Sequence, residues 1–124
     1  MLLVEDSKIL VERLAEAIRQ IPAIDLVGIA DTEASAIAFA QGQAIDLIIL
    51  DLQLKRGTGF GVMRALATTP LRPRILVMTN YDLPAYKDAA LALGATHFLD
   101  KSRDYERLPE LIKEMCNEPL SSTP

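Results

Sequence analysis

Cysteine and histidine are almost missing from this chain: Cys116 and His97 are the single examples in 124 residues. One cysteine excludes an internal disulfide and gives no reason to expect an oxidising compartment. One histidine leaves neither a histidine-rich metal cage nor an imidazole base within a catalytic group, and His97 is read as a surface or edge residue. Long apolar runs are also missing. None exceeds five residues, against the roughly twenty that a membrane helix needs. Glu5 and Asp6 arrive too early for the apolar core of a secretory leader, so no membrane association is expected and the cytoplasm is the expected location. Basic charge is in short supply as well, with 13 Lys and Arg against 17 Asp and Glu and a net charge of −4. That field repels nucleic acid and anionic lipid alike, and direct nucleic-acid binding is not expected.

Half the residues are apolar and about a quarter are charged, a balance that supports one packed core in one domain of ordinary size. No internal repeat or low-complexity segment interrupts it. Short runs that are apolar on consecutive positions, Leu2 to Val4, Leu26 to Ala30, Asp46 to Leu50, Ile75 to Met78 and Thr96 to Leu99, read as five strands buried on both faces. Longer segments between them repeat apolar residues every three to four positions. Ile9, Leu10, Leu14, Ala17, Ile18 and Ile21 predict one helical face, and Leu108, Leu111, Ile112 and Met115 predict another. Asp31 and Thr32 offer N-caps before an Ala-rich helix to Gln41, while Asp82 with Pro84 opens a helix that Gly94 closes. The stretch from Gly57 to Gly61 reads as a mobile loop. Residues 1–117 form the expected domain, and the small, polar, proline-containing segment 118–124 a flexible tail.

Strand and helix alternating five times implies parallel pairing through right-handed crossovers, hence an open α/β sheet with five helices covering both faces. Working groups in such sheets gather beyond the carboxyl ends of the strands, where strand order reverses. The residues that follow the runs are Glu5 and Asp6, Asp51, Thr79, and Asp100 with Lys101. For the order 2-1-3-4-5, the reversal brings Glu5, Asp6 and Asp51 side by side, with Thr79 next and Lys101 beyond. Two carboxylates about 4 Å apart repel by roughly 4 kcal/mol at an effective dielectric near 20, and one lysine does not neutralise three of them. Oxygen ligands with no histidine or cysteine beside them favour a hard cation, and Mg²⁺ is the expected one. An acid trio with a metal, a hydroxyl and an ammonium suits phosphoryl chemistry, and Asp51, already ionised at neutral pH, needs no general base to act as nucleophile.

At these residues the sequence resembles the receiver domain of two-component response regulators over essentially its whole length, a flavodoxin-like fold. The resemblance lies in the ordered set Glu5-Asp6, Leu50-Asp51-Leu52 with Gly57-Thr58-Gly59, Val77-Met78-Thr79, and Phe98-Leu99-Asp100-Lys101. It implies that Asp51 accepts a phosphoryl group from a sensor histidine kinase or phosphotransfer protein. It also implies that Asp6, Asp51 and the backbone carbonyl of Gln53 bind Mg²⁺, with Glu5 acting largely through water. Thr79 and Lys101 are expected to hold phosphoryl oxygens, and Phe98 stands at the family's switch-aromatic position beside Thr79. The expected output is a change in contact with a downstream protein or an effector domain lying beyond residue 124. A homodimer through the face of the fourth helix, fifth strand and fifth helix is the further expectation.

The chain departs from the family pattern in three places. Ser102 follows the lysine where a cis-linked proline is usual, Lys55 replaces a common proline, and Asn80 follows Thr79 where a smaller residue is commoner. Gln53 and Tyr81 occupy positions that tune hydrolysis of the acyl phosphate. Asn80 and Ser102 keep open the alternative of a degenerate receiver that docks without phosphorylation. A haloacid-dehalogenase type of hydrolase would need an aspartate where Gln53 stands, and a flavodoxin-like nucleotide binder would not carry Glu5 and Asp6 in its phosphate loop.

Overall fold

In a strand buried on both faces, successive side chains serve different layers. Leu2, Val4, Ile48, Leu50, Ile75 and Val77 face one apolar cluster, while Leu3, Leu47, Ile49, Leu76 and Met78 face a second on the other side of the sheet. The computed structural model describes residues 1–22, 24–69, 72–80 and 83–117. Its strands are β1 (Leu2–Val4), β2 (Gly28–Ala30), β3 (Leu47–Asp51), β4 (Arg74–Thr79) and β5 (His97–Asp100). All pair in parallel, in the order β2-β1-β3-β4-β5. This is the flavodoxin-like open sheet, with the reversal between β1 and β3. Each strand begins or ends within two residues of its expected limits, and His97 lies on β5, an edge strand.

The helices are α1 (Lys8–Arg19), α2 (Glu33–Gly42), α3 (Gly59–Leu66), α4 (Pro84–Ala92), α5 (Lys101–Asp104) and α6 (Leu108–Asn117), with a 3₁₀ turn at Tyr105–Arg107. Residues of α2, α3 and α4 enter the first cluster, and those of α1 and α6 the second. The short α5 stands ahead of the expected C-terminal helix, so the described residues form six α-helices where five were expected. Leu108, Ile112 and Met115 are buried as their spacing requires.

Side-chain caps set the starts of α1, α2 and α3, from Ser7, Thr32 and Thr58. Thr32 forms a reciprocal capping box with Ser35 at the head of α2, so Thr32 rather than Asp31 is the cap. Pro84 opens α4 and Gly94, at φ +104°, follows its last turn with the Ala95 N–H bonded to the Ala90 carbonyl. Asp82, Tyr81 and the segment 118–124 lie outside the described residues.

Two expectations are corrected. Ile9 is 64% exposed: it sits half a turn from the face that Leu14, Ala15 and Ile18 bury. The stretch from Gly57 to Gly61 is not a loop throughout, because α3 begins at Gly59 with the Thr58 hydroxyl accepting from the Gly61 N–H. Gly59 is there for close approach, since a Cβ on it would lie 2.5 Å from the Asp51 carbonyl oxygen.

Candidate phosphoacceptor and metal site

The end of β1 delivers Glu5 and Asp6, the end of β3 delivers Asp51, and the end of β4 delivers Thr79. Lys101, the first residue of α5, reaches back from the end of β5. These residues, with Ser7, Leu10, Gln53 and Asn80, line one cleft of about 270 Å³. Carboxylate oxygens of Glu5, Asp6 and Asp51 lie within 4.8 Å of one another. Glu5, Asp51 and Thr79 are buried, whereas Asp6 is exposed at the rim. The sheet topology therefore brings together the acid trio, the hydroxyl and the lysine read from the sequence.

Every oxygen of the two buried carboxylates has a defined neighbour. Lys101 Nζ lies 2.6 Å from Glu5 Oε1 and 2.7 Å from Asp51 Oδ2. The Ser7 N–H donates to Glu5 Oε2 at 3.0 Å, and the Gln53 N–H donates to Asp51 Oδ1 at 3.2 Å. Burial alone would lower the pKa of Lys101, but its hydrogen bonds to Asp51 and Glu5 and their charges outweigh that loss and hold it above the ordinary lysine range. Asp6 is held above the ordinary carboxylate range, by partial burial and then by the adjacent Glu5 carboxylate. Three acids with one ammonium leave the cleft two charges negative, and an oxygen-lined cleft of that sign suits a hard divalent cation.

Ser102 stands after the lysine, and here the chain turns with a different device. Oδ1 of Asp100 accepts from the Ser102 N–H at 2.8 Å, the Ser102 hydroxyl at 2.6 Å and the Arg103 N–H at 3.2 Å. In return, Oδ2 of Asp104 accepts from the Asp100 N–H at 3.2 Å. This reciprocal cap starts α5 at Lys101 itself, which aims the lysine back into the cleft. Asp100 is held below the ordinary carboxylate range by the Ser102 hydroxyl and amide, and Asp104 by the Asp100 amide and then Arg103. Sequence reading missed Asp104; its signal was an acidic residue one helical turn after Asp100.

Phe98 does not line the cleft. It is half-buried on β5 and packs against the first apolar cluster. Asn80 does line it, exposed at the end of β4.

The family model for the response regulator receiver domain matches residues 1–113, and the chain belongs to that family. The transcriptional regulatory protein CitB of Klebsiella pneumoniae is 34% identical over 115 residues, covering 93% of this chain and 49% of CitB. The photosynthetic apparatus regulatory protein RegA of Rhodobacter capsulatus is 35% identical over 104 residues, covering 84% of this chain and 55% of RegA. The chain thus spans about half the length of the curated relatives it matches. Among solved structures, the signal receiver domain of NarL from Mycobacterium tuberculosis has a TM-score of 0.82 at 25% identity, covering 95% of this chain and 96% of that one. The response regulator domain of Thermotoga maritima CheB has a TM-score of 0.85 at 20% identity, covering 99% and 96%, a likeness of fold. No helix among the described residues is long and apolar enough to cross a membrane.

Proposed function

We propose that Asp51 accepts a phosphoryl group from a phosphohistidine of a sensor histidine kinase or phosphotransfer protein, in a Mg²⁺-dependent reaction in the cytoplasm. The convergence of Glu5, Asp6 and Asp51 within 4.8 Å, facing Lys101, is the observation that carries this reading. As the P–O bond to Asp51 forms, the P–N bond breaks and its electron pair returns to the imidazole. Asp6, Asp51 and the Gln53 carbonyl would hold the cation, with Glu5 behind, and the cation would neutralise charge on the transferring oxygens. Lys101 is positioned to exchange its carboxylate partner for a phosphoryl oxygen, and the Thr79 hydroxyl to donate to another.

The acyl phosphate adds charge and acceptor oxygens at the ends of β4 and β5, and the segments bearing Thr79 and Lys101 respond. Phe98 is the proposed switch aromatic. The proposed output surface is α4, β5 and the helices after it, where Leu83 and Leu91 are 50% and 44% exposed. This surface would contact a downstream protein, an effector domain such as the names of the longer regulatory relatives suggest, or a second copy of the chain. No observation favours a docking module that dispenses with phosphorylation.

Incubation with acetyl phosphate and Mg²⁺ tests the reading by intact mass. Wild type is expected to gain one phosphoryl group and Asp51→Asn none; an equal gain in that variant would remove Asp51 from its role.

A further inference from the structure

The glycine-containing turn after β3 is held by a carboxylate from another part of the chain. Glu33, the first residue of α2, accepts through Oε1 from the Thr58 N–H at 3.0 Å. Backbone contacts run alongside: the Glu33 N–H donates to the Arg56 carbonyl at 2.9 Å, and the Lys55 N–H to the Asp31 carbonyl at 3.2 Å. Two glycines make room for the acid. A Cβ on Gly61 would lie 2.2 Å from Glu33 Oε1, and one on Gly57, itself at φ +89°, would lie 2.4 Å from Glu33 Cβ. Thr58 is also bridged to Gln53, and the Gly59 N–H donates to the Leu52 carbonyl at 3.0 Å. The carboxylate that holds Thr58 therefore closes the turn on which Gln53 sits, two residues from Asp51.

Resting on the reading of Asp6, Asp51 and Gln53 as a cation site, we propose that Glu33 is a positioning residue for that site. Its carboxylate keeps the Gln53–Thr58 turn ordered before a cation arrives, so that binding does not have to order the turn. Residues that do not touch a metal but orient its ligands support metal binding in general. The glycines at 57 and 61 serve the acid rather than flexibility.

Mg²⁺ titration of the chain, followed by amide NMR, tests this with Glu33→Ala, Glu33→Gln, Gly61→Ala and the double variant Glu33→Ala with Gly61→Ala. Glu33→Ala is expected to weaken Mg²⁺ binding by about tenfold, the low end for supporting residues, and to move the Thr58 amide proton. Glu33→Gln, which keeps the acceptor, stays near wild type. Gly61→Ala displaces the carboxylate, a flexible side-chain end, and reproduces the loss. The double variant is no weaker than either single one, because both remove one interaction. Urea midpoints measured alongside show which variants are folded, and if Glu33→Ala is not, Gly61→Ala carries the test. Unchanged Mg²⁺ affinity in a folded variant whose Thr58 signal has moved would overturn the role of Glu33 alone. A wild-type chain that binds no Mg²⁺ would overturn the cation site and this role with it.

Discussion

The ammonium nitrogen of Lys101 lies 2.7 Å from Oδ2 of Asp51, fifty residues earlier in the chain, and the same nitrogen touches Glu5 at 2.6 Å. One ammonium group thus holds the ends of three strands together. In the proposed phosphoacceptor reaction, Lys101 would leave the neighbourhood of this Asp51 oxygen only when a phosphoryl group offers a stronger partner.

Lys101→Ala is therefore expected to have two effects of opposite sign. It leaves the fully buried Glu5 side chain without its counter-charge, at a cost of about 2–3 kcal/mol, below the value for a sealed pair because the cleft is open to solvent. It also removes a positive charge from the cation's neighbourhood, so Mg²⁺ affinity is kept or raised while the structural response to beryllofluoride is weakened. Urea unfolding with and without Mg²⁺ measures the first effect, and amide shifts on adding beryllofluoride the second. An unchanged response would remove Lys101 from the switch.

Asp6→Asn tests the cost of the Asp6 charge in the cleft, set by partial burial and then by Glu5. Asp6 is held above its ordinary pKa, so at neutral pH its charge works against folding whenever no cation is bound. The variant is expected to be more stable than wild type in chelator, by less than about 1 kcal/mol because Asp6 is exposed. It should also lack the rise in melting temperature that Mg²⁺ is expected to give wild type. Paired thermal scans in chelator and in Mg²⁺ decide both points, and a variant less stable in chelator would show that the Asp6 charge does not oppose folding.

The α5 cap predicts an acid limb. Asp100 and Asp104 are both held below the ordinary carboxylate value, so the stability they contribute is complete above about pH 4, the unfolded value, and is lost as pH falls through their lower folded values. Asp100→Ala is expected to lower the urea midpoint at neutral pH, as the loss of a helix cap does. It should also flatten the decline of urea midpoints below pH 4. A variant with the wild-type acid limb would place that limb on other carboxylates.

The fold was legible where burial is two-sided, because Ile48, Ile49 and Leu50 must all be apolar when both faces of β3 are covered. The acid trio was legible for a related reason: a polar residue directly after such a run lands at the sheet's carboxyl edge. Ile9 was misplaced because spacing of three to four does not say where the buried arc ends, and only packing sets that. Gly57 to Gly61 was misread because glycine signals freedom in composition but close approach in structure, here to the Asp51 carbonyl and the Glu33 carboxylate. Glu33 carries no local signal of its task, and Asp104 carries only that of an acid one helical turn after Asp100. Glu33 acts on residues some twenty-five positions away, and Asp104 acts through the turn that aims Lys101.

Borohydride reduction after incubation with acetyl phosphate converts an aspartyl phosphate to homoserine, and fragment mass spectrometry then locates it. Homoserine at position 51, formed with Mg²⁺ and not in chelator, is the expected result. Homoserine at another aspartate, or equal conversion at 51 without a divalent cation, would contradict a magnesium-dependent phosphoacceptor built on Asp6 and Asp51.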